Sequence, residues 1–343
     1  MRSSSCPSSL PNRTLIRCSP LQTRDFGSKD LRVSEIGHGL WGMGDWTDSD
    51  DRQSLQALQL SLDLGCNFYD TAWAYGDGHS EKLLGQLIRN NPGAQIIVAT
   101  KVPPKDRIWP ADPKDKLENV FPAEHIIEYT KRSLDNLGIE RIDIQQLHVW
   151  DDGWADNPAW QEAAQHLKDE GLIRLFGLSL NRWEPWNGLK AIRTGAVDSI
   201  QVIYNIFDQA PEDELFPLCQ ELGVGVLARV PLDEGSLSGK LALDTKFPES
   251  DWRSRYFGSE NLADTVERAQ AVAQLLPVGM TLAELAMRFS ISHPAVSTSI
   301  PGMRKPQHVR GNIAVSDGVD LPAELIDKLR AHRWDRKVTP WSD

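Results

Sequence analysis

The sequence predicts an α/β protein with the fold of a (β/α)8 barrel, also called a TIM barrel. From about residue 24 onward, short β-rich runs alternate with amphipathic helical stretches, and eight such runs occur. Strict alternation of this kind implies a parallel sheet, and eight units most simply close into a barrel. A doubly wound open sheet is the competing architecture. The length of 343 residues is compatible with one barrel domain, to which we assign residues 21–343.

The amino-terminal segment differs in composition from the rest of the chain. The stretch before Asp25 contains four arginines, six serines and no acidic residue. Transit peptides have such a composition, being rich in arginine and serine and poor in acids. A disordered tail, or an upstream start that the working protein does not use, is the other interpretation. We assign residues 1–20 to a disordered or non-native extension and leave them out of the fold.

Next along the chain, a hairpin precedes the barrel. In RDFGSKDLRVSE the turn-forming pair Gly27 and Ser28 separates two short extended segments, which predicts a hairpin closing the barrel floor. The eight predicted barrel strands follow as SEIGHG (34–39), NFYD (67–70), IIVATK (96–101), IDIQQLH (142–148), RLFGLS (174–179), SIQVIY (199–204), GVLARV (225–230) and VSTSI (296–300).

Between these strands, apolar residues recur at helical spacing. Two such patterns are Trp160, Ala163, Ala164 and Leu167, and Leu282, Leu285, Ala286 and Phe289. Three connections are longer than a barrel needs, and long connections in compact domains usually carry function. They follow strands three, four and seven, at residues 102–121, 149–158 and 231–261. All three lie at carboxyl ends of strands, where barrel enzymes place their active sites.

Composition excludes several classes of function. The net charge of -11 is spread without long blocks of one sign, so nucleic acids are poor partners. No apolar run approaches the roughly 20 residues of a membrane span. The four cysteines (Cys6, Cys18, Cys66 and Cys219) lie far apart, which argues against a zinc site or any other metal site and favours the reducing cytoplasm. Nothing in the sequence marks an oligomer interface, so the oligomeric state stays open.

Polar side chains stand at or just after the carboxyl ends of three neighbouring predicted strands. Asp70 ends strand two, Tyr75 follows in the loop DTAWAYG, Lys101 ends strand three and His148 ends strand four. Each of them alone is weak evidence, but the barrel makes all four converge. Their combination is much more specific than any single member.

These four residue types suit general acid catalysis on a carbonyl group. A phenol with a pKa of about 10 is a poor acid at neutral pH unless a cation stabilises its phenolate. Lys101 is the candidate for that cation, and Asp70 holds the ammonium group in place and keeps it protonated. His148 then supplies a neutral imidazole N–H that orients a substrate carbonyl.

The stretch SEIGHGLWGMGDW contains the pattern G-x-G-x-x-G at Gly37, Gly39 and Gly42. In a Rossmann fold the third glycine leads directly into a helix. Here TDSDDRQ intervenes, and the first helix begins near Asp50. We therefore interpret the pattern as the end of barrel strand one and not as a Rossmann loop.

The chain resembles the aldo-keto reductases, NAD(P)H-dependent barrel oxidoreductases, from about Leu21 to Arg333. NFYDTAWAYGDGHSEKLLGQ is similar to the family motif around the acid and the tyrosine, ATK holds its lysine and IDIQQLH its histidine. The resemblance implies that Asp70, Tyr75, Lys101 and His148 form a catalytic tetrad. It implies a cofactor site at Trp41, Asp70, Ser179, Gln201, Arg229, Pro231, Leu232, Lys240, Gly302, Arg304, His308 and Asn312.

Within that implied cofactor site, each position has its own role. Ser179 and Gln201 match the residues that bind the nicotinamide carboxamide, and Trp41 matches a position beside the ring. The resemblance thus implies that the small residues of GHGLWGMG leave room for the nicotinamide and that the cofactor phosphates lie on the opposite rim. Asn181 sits one residue later than the commoner family spacing. Arg229 stands where many members stack an aromatic ring on the nicotinamide, a role that a planar guanidinium can also fill. The loop with Pro231, Leu232 and Lys240 matches the one that covers the pyrophosphate.

The segment SIPGMRKPQHVRGN resembles the adenosine phosphate site of the family. Arg304 is placed to meet a 2'-phosphate and Asn312 matches the adenine-binding asparagine. The lysine and arginine of some strictly NADPH-dependent members are replaced by Gly302 and His308. Because Arg304 and Lys305 keep this region positive in an acidic protein, we favour NADP(H) over NAD(H).

The resemblance implies reduction of an aldehyde or ketone, including sugars, to the alcohol by hydride transfer, with Tyr75 as general acid and a small carbonyl compound as partner. A regulatory subunit that binds NADP(H) and senses redox state is the alternative. An aldolase that forms a Schiff base on Lys101 is disfavoured, because Asp70 keeps that lysine protonated.

The tryptophans point toward a substrate pocket. Six of them fall at or after predicted strand ends, with three acids nearby, and would form an aromatic-lined pocket for aldehydes, aromatic ketones or a sugar. The other interpretation is that some rings only pack loops together. These residues are Trp41, Trp46, Trp73, Trp109, Trp150 and Trp154, with Asp45, Asp151 and Asp152.

Overall fold

The computed structural model describes residues 21–44 and 49–337. The predicted extension at residues 1–20 lies outside the described residues, as do Trp46 and Asp45 of the predicted substrate pocket. The described chain begins with an antiparallel hairpin of β1 (Thr23–Asp25) and β2 (Arg32–Ser34). Between them Gly27 has a φ of 56°, a left-handed conformation that glycine adopts without strain.

This hairpin closes the floor of the barrel, as predicted. Its residues Phe26, Leu31 and Val33 are buried in one apolar cluster with residues of the barrel strands, among them Phe68 and Ile97. Gly225 has no room for a side chain beneath it, because an added Cβ would lie 2.4 Å from the ring of Phe26. The hairpin therefore acts as a plug that keeps solvent out of the barrel interior.

Eight parallel strands form the barrel wall in sequence order, and each pairs with the next. The (β/α)8 barrel prediction is confirmed. The strands are β3 (His38–Gly39), β4 (Phe68–Asp70), β5 (Ile97–Val102), β6 (Ile142–Leu147), β7 (Ile173–Ser179), β8 (Ser199–Ile203), β9 (Gly225–Arg229) and β10 (Val296–Ser299).

The first and last strands complete the ring through isolated parallel bridges that join Ile36 to Ser299 and Gly39 to Gly302. The first predicted strand, residues 34–39, is shorter than expected. Ser34 belongs to the hairpin, where it pairs with Thr23, and only the last two residues pair with β4. The closure is therefore made by a short, irregular segment.

Helices cover the outside of the barrel, and each parallel strand is followed by at least one helix. The predicted amphipathic patterns fall on α5 and α10, whose apolar faces are buried. Asp50 caps the first helix by accepting a hydrogen bond from the Gln53 backbone N–H at 2.7 Å. The helices are α1 (Asp51–Asp63), α2 (His79–Asn90), α3 (Leu117–Val120), α4 (Ala123–Leu137), α5 (Pro158–Asp169), α6 (Leu189–Arg193), α7 (Leu215–Leu222), α8 (Arg253–Tyr256), α9 (Ser259–Ala273), α10 (Leu282–Ser292), α11 (Pro306–Ile313) and α12 (Ala323–Arg330).

The three long connections lie after β5, β6 and β9, as predicted. They contain short helical turns, of which Asp152–Trp154 and Asp233–Ser238 are 3-10 helices. Within the described ranges, no helix is both long and apolar enough to cross a membrane. The carboxyl ends of the barrel strands and these connections together form the face on which the candidate site lies.

Candidate active site

The four predicted catalytic residues lie together at the carboxyl ends of β4, β5 and β6. Asp70 is the last residue of β4, Lys101 lies near the end of β5 and His148 directly follows β6. Tyr75 lies in the loop after β4, half-buried. The rings of Tyr75 and His148 meet edge to face, with centroids 5.6 Å apart. The barrel thus brings together all four residues of the predicted tetrad.

The ammonium group of Lys101 is the centre of the hydrogen bonding. It is fully buried and donates to Asp70 Oδ1 at 2.6 Å, to the Thr71 carbonyl at 2.7 Å and to the Tyr75 hydroxyl oxygen at 3.3 Å. An ammonium group has three protons, so these bonds use all of them. Because Lys101 donates to the phenol oxygen, the hydroxyl proton of Tyr75 remains available for another acceptor.

The same contacts shift the pKa values of Lys101 and Tyr75. Burial lowers the pKa of Lys101, but Asp70 and Tyr75 outweigh it, so the pKa lies above its ordinary value. Burial raises the pKa of Tyr75, and the Lys101 cation offsets only part of this. Stabilisation of the phenolate by Lys101, expected from the sequence, does not give a net lowering of the Tyr75 pKa, because desolvation of the phenolate exceeds its attraction to the lysine. Both groups are protonated at neutral pH.

His148 is a neutral imidazole. Burial, and then the nearby cations Lys101 and Arg229, lower its pKa well below the usual value. Its Nδ1 atom is buried and has no hydrogen-bond partner among the residues that the structure describes. The backbone N–H of His148 donates to the Val102 carbonyl at 3.0 Å. The imidazole ring packs edge to face against the ring of Trp109. A neutral ring next to Tyr75 can donate one N–H to a carbonyl oxygen.

Asp70 accepts further hydrogen bonds from two glutamine side chains. Gln201, buried in β8, donates its Nε2 to Asp70 Oδ2 at 2.7 Å, and Gln146 donates to the same oxygen at 3.5 Å. Gln201 was singled out from the sequence as a carboxamide-binding residue, whereas Gln146 was missed. Its position two residues before His148 on a barrel strand was the available signal, since alternate residues of a strand face the same side.

The glycine-rich stretch serves barrel closure. At Gly39, an added Cβ would lie 2.8 Å from the Ile300 carbonyl oxygen, so only glycine allows this close approach. At Gly42, an added Cβ would lie 3.4 Å from the side chain of Arg304. The stretch and the segment around Gly302 are therefore neighbours. Placing the phosphate segment on the opposite rim was wrong, because a closed barrel sets its first and eighth strands side by side.

A cluster of positive side chains lies on that neighbouring segment and on the loop after β9. Burial lowers the pKa of His308, and the positive charges of nearby Lys240, Lys305 and Arg304 lower it further. Gly302 is exposed and no atom lies within 4 Å of where its Cβ would be. Of the predicted adenosine-site residues, Asn312 is buried in α11.

Arg229 ends β9 and faces the tetrad. Its Nη2 donates to the Leu180 carbonyl at 3.0 Å, while its Nε is buried without a hydrogen-bond partner in the described part of the chain. Burial and the neighbouring cation Arg182 lower its pKa to about 10, so the guanidinium stays charged at neutral pH. Beyond it, Pro231 is buried and Leu232 half-buried at the start of the following loop.

Ser179 and Asn181, at and just after the end of β7, have different surroundings. Ser179 is the last residue of β7 and is buried. Asn181 bonds with the loop after β5, accepting from the Ala111 backbone N–H at 3.2 Å, and donates to Glu184 at 2.9 Å. Asn181 therefore joins two loops at the rim.

The tryptophans divide into two groups. Trp150 and Trp154 are buried and pack against each other with ring centroids 5.7 Å apart, so they hold loops together. Asp152 accepts bonds from the Lys190 and Ala191 backbone N–H groups at the start of α6, a structural role. Of the tryptophans in the predicted pocket, Trp41 and Trp109 remain accessible at the rim, 39% and 38% exposed. The other two residues of the predicted pocket have contacts of their own, with Arg107 over the Trp73 ring and Asp151 bonded to the Gly153 backbone N–H.

Several residues of this face were not found from the sequence. Arg182 forms an ion pair with Glu234 at 2.9 Å, and Trp252 lies against Trp41 with ring centroids 5.4 Å apart. Arg336, near the carboxyl terminus, bonds to Asp233. No local pattern marks them, because each partner lies far away along the chain. Within residues 21–44 and 49–337, no group of His, Cys, Asp and Glu side chains has a geometry that would hold a metal ion.

The sequence model of the Aldo/keto reductase family matches residues 35–333. The chain is 28% identical to the NADH-specific methylglyoxal reductase of Escherichia coli (strain K12), over 84% of this chain and 91% of that one. It is 30% identical to a probable voltage-gated potassium channel subunit beta of Oryza sativa subsp. japonica, over 91% of this chain and 96% of that one. Its fold is similar to that of a glycerol dehydrogenase from Gluconobacter oxydans, with a TM-score of 0.75, 28% identity and coverage of 93% and 98%. The chain therefore belongs to the aldo/keto reductase family and is an NAD(P)H-dependent oxidoreductase.

Proposed function

We propose that this protein reduces an aldehyde or ketone to the alcohol with NADP(H), and that Tyr75 is the general acid. The observation that carries the proposal is the hydrogen bonding of Lys101. Its three protons point to Asp70, the Thr71 carbonyl and the phenol oxygen of Tyr75. The phenol thus accepts from a cation and keeps its own proton for a substrate oxygen.

The geometry supports a division of labour during reduction. The nicotinamide, when bound, supplies a hydride to the carbonyl carbon, and Tyr75 gives its proton to the carbonyl oxygen. The phenolate that forms is stabilised by the hydrogen bond and charge of Lys101. His148, as a neutral donor beside the phenol, orients the carbonyl. Asp70 keeps Lys101 protonated and in place.

The residues present fit a nicotinamide dinucleotide. Gly302 leaves space at the barrel mouth, since no atom lies within 4 Å of where its Cβ would be, and the buried Nε of Arg229 has no hydrogen-bond partner among the described residues. Lys240, Arg304 and Lys305 around His308 are the donor types that phosphates prefer. These residues would hold the phosphates, and Ser179 with Gln201 would hold the carboxamide.

The basic cluster supports NADP(H) over NAD(H), although one relative is described as NADH-specific. We predict that Arg304→Gln raises the Kd for NADPH about tenfold and leaves the Kd for NADH within about twofold, since a charge-assisted bond contributes about 1.5–3 kcal/mol. Titration by nucleotide fluorescence measures both. Arg310→Gln, on an exposed position of α11, is the matched control. Equal losses for both nucleotides would contradict a contact with the 2'-phosphate.

The pKa directions predict a flat pH profile for reduction. A general acid must be protonated, and the pKa of Tyr75 lies above its ordinary value of about 10. The pKa of His148 lies well below about 6.5, so the ring does not titrate at neutral pH. We expect kcat/KM for carbonyl reduction to be constant between about pH 6 and about pH 8 and to fall only as pH rises past the Tyr75 pKa. A step centred near pH 6.5 would show that His148 titrates in the cycle.

Oxidation of NADPH by the purified protein over aldehydes, ketones and sugars tests the proposed function directly. Turnover of at least one carbonyl compound is expected. Tight NADPH binding without any turnover would instead favour a regulatory subunit, which the similarity to a probable potassium channel subunit beta keeps as the alternative. A Schiff-base aldolase would be trapped by borohydride on Lys101, which we do not expect because its three protons are bonded.

The rim residue Trp109 supports a small carbonyl substrate. Trp109 presents an accessible indole whose edge meets His148 at a centroid distance of 5.7 Å, so an apolar part of the substrate can pack there. We propose the reducing cytoplasm as the location of the protein, with which the free, buried thiols of Cys66 and Cys219 are compatible. We also propose that residues 21–343 form one domain.

A further inference from the structure

The loop after β9, residues 230–240, which we call the β9 loop, has a backbone that its sequence does not favour. Val230, Asp233 and Glu234 have φ angles of 57°, 45° and 54°. Left-handed conformations are unfavourable for residues other than glycine, and most of all for β-branched valine. Such a backbone persists only where surrounding groups hold it. The β9 loop therefore needs anchors outside its own sequence.

Arg336 supplies the most buried of these anchors. Its side chain is 2% exposed and its Nη2 donates to Asp233 Oδ1 at 2.6 Å. The second carboxylate oxygen of Asp233 accepts from the Ser236 hydroxyl at 2.6 Å. Both oxygens of one left-handed loop residue are thus bonded. The guanidinium fixes that residue from a segment 103 positions away in sequence.

The same guanidinium ties the β9 loop to other parts of the carboxyl-end face. Arg336 also bonds to Asp208, in the loop after β8, through Nη2 and Nε. Its Nη1 donates to the Tyr256 hydroxyl at 3.2 Å, and its charge lies 4.8 Å from the ring centroid of Trp183. The planar fork of arginine allows these bonds at once, whereas a lysine ammonium is a single point of attachment.

A neighbouring arginine shows what an ordinary ion pair looks like in the same segment. Arg333 bonds to Asp213 and Asp335, but its side chain is 32% exposed and those of its partners 54% and 66%. Exposed pairs of this kind contribute little. Arg336 differs because it is buried and because one of its partners belongs to the strained loop.

We propose that Arg336 is a positioning residue for the cofactor: it holds the β9 loop in the conformation that binds the dinucleotide phosphates. This inference rests on the proposed function, in which Pro231, Leu232 and Lys240 of that loop cover the pyrophosphate. Arg336 itself does not touch the reacting atoms. Its loss frees the β9 loop to leave the left-handed conformation, so that only a fraction of molecules is ready to bind. The apparent Kd then rises by the inverse of that fraction.

The test compares Arg336→Met with Arg333→Met in the full chain. We expect Arg336→Met to raise the Kd and KM for NADPH about tenfold, as for a loop competent in about a tenth of molecules. We expect kcat at saturating NADPH to stay within about twofold, because the tetrad is untouched. Arg333→Met, the matched control, should leave all three constants within about twofold. Fluorescence titration gives the Kd without any need for turnover.

Arg336→Lys is a second variant that controls for misfolding of Arg336→Met. It keeps the positive charge between the two carboxylates but lacks the planar guanidinium that bonds several partners at once. A smaller rise in the NADPH Kd is expected for it. If either folded Arg336 variant binds NADPH like wild type, or if kcat falls while Kd does not change, the positioning role is wrong. If wild type binds neither NADPH nor NADH, the proposed function itself fails. Wild-type binding with an unaffected variant overturns only the role of Arg336.

Discussion

Tyr75→Phe is expected to lower kcat for carbonyl reduction by about 10² to 10⁴-fold, the usual contribution of a positioned general acid. The substitution removes only the hydroxyl group, so the ring keeps its edge contact with His148. Lys101 loses one of its three acceptors, but the bonds to Asp70 and the Thr71 carbonyl remain. We therefore expect the NADPH Kd to stay within about twofold of wild type while turnover is lost.

Tyr129→Phe is the matched control for this variant. Tyr129 lies on α4 and packs edge to face against Trp73, with ring centroids 4.8 Å apart, so it too is a phenol near the site. Its ring partners in the described part of the chain, Trp73, His125 and Arg132, lie outside the tetrad, so its variant should keep wild-type kcat. Equal turnover by Tyr75→Phe and wild type would show that another group gives the proton. Parallel loss in both variants would indicate a packing effect.

The barrel and its tetrad could be predicted because both depend on local patterns. The alternation of strands and helices is readable over short windows, and a parallel barrel forces strand ends to converge. The convergence of Asp70, Lys101 and His148 could therefore be predicted from the positions of the strand ends alone. The largest error in strand length is at the closing strand, whose pairing depends on Ser299 and Gly302 at the other end of the chain.

The anchors of the β9 loop could not be predicted, for a physical reason. Arg336 and Asp208 are 128 residues apart, and neither has a neighbour in sequence that marks it as buried. A charged residue is expected at the surface unless a partner is known. Likewise, the direction of the Tyr75 pKa depends on how strongly desolvation competes with Lys101, which only the folded structure reveals.

Burial gives the site its electrostatic character. Lys101 and Arg229 are cations in a region that also lowers the pKa of His148, so the site favours the developing negative charge on a carbonyl oxygen. Asp70 balances Lys101 at 2.6 Å. Burial of the Lys101–Asp70 ion pair costs desolvation free energy, so the pair affects the stability of the protein as well as catalysis.

Lys101→Met should lower both the free energy of unfolding and kcat. Removal of one partner from a buried ion pair costs about 3–5 kcal/mol, because the remaining charge is uncompensated. Among the described residues, the side chains of Gln201 and Gln146 would remain as hydrogen-bond donors to the Asp70 carboxylate. We expect the free energy of unfolding in urea to fall by about that amount, and kcat to fall at least about 10²-fold because the phenolate of Tyr75 loses its cation.

A double variant separates the two effects. Asp70→Asn in the Lys101→Met background removes the orphaned charge and keeps an oxygen that can accept from Gln201, so we expect most of the lost stability to return. Turnover should not return, because no cation is left beside Tyr75. The return of stability measures the coupling between the two positions in unfolding, whereas kcat should stay at the level of Lys101→Met. Recovery of turnover together with stability would mean that Lys101 serves only the fold, and the assignment of Tyr75 as an acid supported by Lys101 would be wrong.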